Sequence, residues 1–147
     1  MKRLILICLL VPPLALTACG ESKQDKAKKQ VCSARSDIQK QVNSLKSLTP
    51  ATVTANGVKD SLNSIKGNLT KIKDAQPDLN DQRKQQVQTA NQEFASQFNS
   101  ITSNLGSNLS ISGATAQLQT AGQQLSAAYT KSLAPIDCSD GCCVAGK

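Results

Sequence analysis

The sequence contains no histidine and no tryptophan, and its 147 residues include one tyrosine and two phenylalanines. Without histidine, the side chain that most often serves as general base and as metal ligand is missing. No Ser-His-Asp set, HExxH zinc helix or CxxCH haem site can be written, and there is no glycine-rich phosphate loop. The 10 Asp and Glu residues are scattered, with no pair that must share a site. A Cys or Lys nucleophile would have to act without a histidine base. No enzyme activity is expected. The 17 Lys and Arg residues give a formal charge of +7 and a pI of about 9.2. That balance would suit a polyanion, but so few rings leave little to stack on bases. No nucleic-acid partner is expected.

Long apolar runs are also lacking. The hydrophobic share of 39% is propped up by alanine and by the first sixteen residues. The remainder is rich in Gln, Asn, Ser, Thr and Ala, so one modest domain with a lean core of single Leu, Ile and Val positions is expected. Disorder rivals this on composition alone. The periodicity below argues against it.

What is present begins at the N-terminus. Lys2 and Arg3 precede an apolar run from Leu4 to Leu16, interrupted by Pro12 and Pro13, which is too short to span a bilayer. Then follows Leu16-Thr17-Ala18-Cys19-Gly20. This run resembles the lipobox of bacterial lipoproteins, a resemblance confined to residues 1–19. It implies a diacylglyceryl thioether on Cys19, cleavage between Ala18 and Cys19, and acylation of the new amino group. Each buried methylene contributes about 0.8 kcal/mol, so two or three chains anchor where one is marginal. The resemblance therefore implies a signal peptide over 1–18 and lipidation at Cys19. The chain would be anchored on the extracytoplasmic side of a cell membrane, where nucleic acid is out of reach. A plain secretory signal cut after Ala18 is the alternative. Removing Lys2 and Arg3 leaves 15 cations against 10 anions, a mature charge of +5.

Residues 20–31 are polar and unpatterned, so residues 19–31 read as a flexible basic tether reaching at most about 40 Å. Its lysines 23, 26, 28 and 29 either lie on anionic headgroups, each worth about 1 kcal/mol, or merely solvate a spacer.

From Cys32 the period is helical. Ile38, Val42, Leu45 and Leu48 form one face, and Val58, Leu62, Ile65, Leu69 and Ile72 a second. Val87, Phe94, Phe98, Ile101 and Leu105 form a third, and Ala114, Leu118, Ala121, Leu125, Ala128 and Leu133 a fourth. Phe94 and Phe98 read as core; stacking on a ligand is the alternative. Thr49-Pro50 reads as the cap and first position of the second helix. Pro77-Asp78 separates the second from the third, Gly106 stops the third, Ser112 caps the fourth and Pro135 ends it. The expected fold is all-α, a four-helix up-down-up-down antiparallel bundle over 32–138 with a short first helix. The second and third helices would overhang the first by about 12 Å, with an exposed start to the third over Asn80 to Gln86. The phrases Val42-Asn43-Ser44-Leu45, Leu62-Asn63-Ser64-Ile65 and Phe98-Asn99-Ser100-Ile101 recur, through duplication or through biased composition on a heptad template.

Of six cysteines, Cys8 leaves with the signal and Cys19 is taken by lipid. Cys32 and Cys138 would lie at the same end of such a bundle, where the first helix starts and the last one ends. A disulfide between them is expected. Closing so long a loop contributes about 4.7 kcal/mol in the chain-entropy account. In the flexible tail over 139–147, Cys142 and Cys143 can pair with each other, exchange with Cys138, stay free, or join a metal site with Cys32. No cofactor or metal is expected.

These features point to a non-catalytic envelope lipoprotein presenting a helical bundle to a protein partner. The alternatives are a carrier of a small ligand or metal, and a spacer linked to the cell wall. Lys147 prompts the last, because one abundant helical lipoprotein family is joined to the wall through a C-terminal lysine. This chain differs from that family in its length, its Pro and Gly breaks and its several helices. The basic end near the tether would face the membrane, leaving the opposite, uncharged end for a partner.

Overall fold

The computed structural model describes residues 22–49, 52–108 and 114–139. They form four helices, α1 (Lys23–Lys46), α2 (Ala55–Ala75), α3 (Asp81–Asn108) and α4 (Ala114–Ser132), with a 3-10 turn at Gln76–Asp78. Among the described residues there is no strand.

The first helix is not short. It has 24 residues against 21 in α2, and it absorbs most of the expected tether. Two physical causes extend it. Ser22 accepts from the Asp25 backbone N–H while the Asp25 carboxylate accepts from the Ser22 N–H, a reciprocal cap at the start of the helix. Ala27 and Val31 then continue the apolar stripe of Ala34, Ile38, Val42 and Leu45, all of them buried. The expected overhang disappears, since α1 runs alongside the whole of α2. Of the expected tether, residues 19–21 lie outside the described residues.

Other boundaries move too. The cap of α2 is Thr54, whose hydroxyl accepts from Gly57 N–H at 3.0 Å. Thr49 instead closes a turn, its carbonyl accepting from the N–H groups of Thr52 and Val53. Pro50 lies outside the described residues. After α2 the 3-10 turn carries Pro77 and leads to buried Leu79. Asn80 then caps α3 by accepting from Arg83 N–H at 2.9 Å. Helix α3 passes through Gly106 to Asn108, and no described glycine has a positive φ. Gly106 therefore does not act as a left-handed helix stop. The cap expected at Ser112 lies outside the described residues. Helix α4 ends at Ser132, three residues before Pro135.

The up-down-up-down bundle is the observed architecture. Helix α1 packs on α2 and α4, α3 packs on α4, and α2 meets α3 more lightly, while across the diagonal Val58 of α2 packs on the Leu118 and Ala121 cluster of α4. Side-chain pairings run antiparallel along α1 and the C-terminal part. Arg35 reaches Ala134, Tyr129 reaches Gln39, and Gln119 reaches Leu48. Phe94 is wholly buried at the centre, its ring 6.5 Å from Phe98 and 6.4 Å edge-on from Tyr129. Around it lie Ile38, Ile65, Ile72, Leu125 and Leu133, each under 2% exposed. The two phenylalanines are core, as their spacing indicates.

Candidate functional site at the disulfide end

Four chain segments converge at one end of the bundle. Cys32, half-buried on α1, and Cys138, beyond the end of α4, form a disulfide with their Cα atoms 5.7 Å apart. It closes a separation of 106 residues. This is the pairing expected from the antiparallel order, because the entry of α1 and the exit of α4 share an end.

The exit segment has no helix to satisfy its carbonyls, and two arginines do so. One turn along α1 from Cys32, the Arg35 guanidinium donates from Nη1 to Ala134 O at 3.1 Å and to Ile136 O. Arg83, in the first turn of α3, donates from Nη1 to Asp137 O at 2.8 Å. The start of α3 is thus held against the exit segment and does not stand clear as an overhang. Ile136 between these contacts is buried. Charge-assisted bonds to backbone carbonyls are stronger than neutral ones, and here they hold the segment that carries Cys138.

Asp137 turns its carboxylate onto Ser139, accepting from its backbone N–H at 2.9 Å and from its hydroxyl. Those bonds hold its carboxyl below the ordinary aspartate range, helped by the charges of Arg83 and Lys28. At the start of α1, the bonds from the Ser22 hydroxyl and backbone lower Asp25 in the same way, with smaller help from Lys28 and Lys29. Burial pushes the Tyr129 hydroxyl above its usual value, while Arg35 pulls weakly the other way.

Beside the exit segment an open groove of about 470 Å³ runs between α3 and the end of α4. Gln82, Gln86, Thr89, Glu93 and Ser132 line it, and Ser132 Oγ donates to Glu93 Oε2 at 3.3 Å. Lys131 and the apolar Ala90, Pro135 and Ile136 also line it, so amides and hydroxyls share the groove with one carboxylate, one ammonium group and an apolar floor. Among the described residues no group of three or more His, Cys, Asp or Glu is placed to hold a metal ion. Cys19, Cys142 and Cys143 lie outside the described residues, as does Lys147.

Several structurally active residues were not marked by periodicity. Arg35 and Arg83 are polar positions with no pattern of their own. Asn68 and Asn91 are buried between α2 and its neighbours; Asn91 Nδ2 donates to Leu69 O at 3.3 Å, and Asn68 Oδ1 accepts from Lys71 at 3.1 Å. Ser22 and Asp25 had a readable signal, a hydroxyl residue with an acid three positions on. Among the described residues no helix is long and apolar enough to cross a membrane. No protein-family model, curated protein or solved structure matches this chain.

Proposed function

We propose that this chain is a non-catalytic bacterial envelope lipoprotein, anchored through lipid on Cys19 and presenting its helical bundle to a protein partner. The observation that carries the reading is Leu16-Thr17-Ala18-Cys19 set behind a basic start and a short apolar run. The capped start of α1 at Ser22 agrees with it, since a helix of the bundle starts three residues beyond Cys19. A disulfide-closed bundle whose groove between α3 and the end of α4 is open favours presentation of a surface over enclosure of a small ligand.

Mass spectrometry of the membrane-extracted protein tests the anchor, with an acylated N-terminal Cys19 peptide as the expected result. A Cys19→Ser chain should accumulate as uncut precursor. If it is still cut after Ala18 and partitions to membranes as before, the lipoprotein reading fails. The partner role is tested by crosslinking in intact cells. One envelope protein should be captured through residues of the bundle and lost when those residues are substituted.

A further inference from the structure

We infer that the disulfide end of the bundle lies on the membrane surface and binds anionic phospholipid headgroups, an inference that rests on the lipid anchor at Cys19. The deciding quantity is distance. A tether ending at Cys32 would let the domain drift up to about 40 Å from its anchor, several Debye lengths at 0.1 M salt, where surface charge is screened. Helix α1 instead starts with Ser22 as its cap. Three peptide steps separate Cys19 from Ser22, so their Cα atoms are at most about 11 Å apart, close to one Debye length.

That end is where the cations gather. Lys23, Lys26, Lys28 and Lys29 stand on the first turns of α1, Lys71 and Lys73 on the last turns of α2, and Arg83 and Lys84 on the first turn of α3. The Gln30 side chain donates to Lys71 O at 3.2 Å and Arg83 donates to Asp137 O, which places these groups together. Five carboxylates share the end: Asp25, Asp74, Asp78, Asp81 and Asp137. With Arg35 the cations number nine, and with Glu21 and Asp140, the chain neighbours of Ser22 and Ser139, the anions number seven, a surplus of two; Lys23, Lys26, Lys71, Lys73 and Lys84 are exposed.

The rest of the bundle offers no competing field. From Phe94 to Thr130 the chain carries no charged residue. Near the far turn the charges are Lys46, Lys59 and Asp60. At 1.5 Å per residue, the 24 residues of α1 raise that turn about 36 Å from the anchored end when the helix stands upright, beyond three Debye lengths. The lipid chains hold the molecule and the lysines set which end faces the surface.

Lipidated full-length protein can be reconstituted into neutral phosphatidylcholine vesicles and into vesicles containing 30% phosphatidylglycerol, then acetylated with an amine reagent and mapped lysine by lysine. In anionic vesicles Lys23, Lys26, Lys71, Lys73 and Lys84 should react at least about threefold more slowly than in neutral ones, an effect lost in 0.5 M salt. Lys46 and Lys59 should react equally in both. Equal rates at all lysines, or protection centred on Lys46 and Lys59, overturns the orientation while leaving the anchor intact. Failure to float with neutral vesicles refutes the anchor itself and this inference with it.

Discussion

Gly122 of α4 lies against the backbone of Lys46 in α1, so closely that a Cβ on Gly122 would stand 2.8 Å from both the Lys46 Cα and its nitrogen. The two helices cross there backbone to backbone, and a methyl group can be admitted only by moving one of them. Gly122→Ala should therefore destabilise the bundle by about 1–3 kcal/mol despite its better helix propensity. Gly67 supplies the control: it is exposed in α2, with nothing within 4 Å of its would-be Cβ. Gly67→Ala should stabilise by about 0.4–1 kcal/mol. Urea midpoints of the two variants should move in opposite directions.

Peptide mapping without reductant should recover one linked peptide pair holding Cys32 and Cys138. Reduction, or Cys32→Ser with Cys138→Ser, should cost about 2–5 kcal/mol in urea denaturation.

Arg35 and the disulfide hold the same exit segment, so their effects should not add. Arg35→Met removes the bonds to Ala134 O and Ile136 O. It should cost about 1.5–3 kcal/mol in the oxidised protein. In the reduced protein, where that segment has already lost its covalent tie, the cost should be smaller. Equal costs in both states would show that the two restraints act independently.

Acid should weaken the fold through Asp25 and Asp137. Both have folded-state pKa values below 3.8. Their contribution is present above the unfolded value and is lost as pH falls through the folded one. Ser22→Ala and Ser139→Ala, which remove the hydroxyls that hold these carboxylates, should flatten the fall in stability below about pH 4. Tyr129 acts at the other extreme. Its pKa is raised from 10.0, so its contribution is intact below that value and is lost as pH rises through the folded one. Tyr129→Phe should remove this alkaline loss, read as the slope of stability above about pH 10.

The partly satisfied Asn91 makes a different case. Its Oδ1 is buried without a partner while its Nδ2 donates to Leu69 O. Asn91→Leu conserves volume and removes an unpaired polar atom, so thermal stability should be unchanged or higher, by up to about 1 kcal/mol.

The four helices, their antiparallel order, the phenylalanine core and the Cys32–Cys138 pairing were determined by local features of the sequence. Apolar residues at steps of three and four mark a helical face wherever the chain folds. Short connections force neighbours to run antiparallel. Two cysteines flanking such an up-down set must then meet at one end. None of these inferences needs coordinates, because each depends on residues close in sequence or on the count of helices.

Other features were decided by tertiary packing. Ala27 and Val31 stand among lysines and carry too little apolar surface to mark a helix alone; they become helical because α2 and Leu79 offer a buried surface opposite them. Thr54 displaced Thr49 as the cap because Thr49 turns its carbonyl onto the N–H groups of Thr52 and Val53 instead. Gly106 is a stop by propensity, yet α3 carries through it. Gly122 has value only where another backbone approaches, and Arg35 and Arg83 matter because their side chains reach carbonyls of the exit segment, about a hundred and about fifty residues away along the chain. Contacts of that kind are set by the meeting of distant segments, for which periodicity along one segment has no signal.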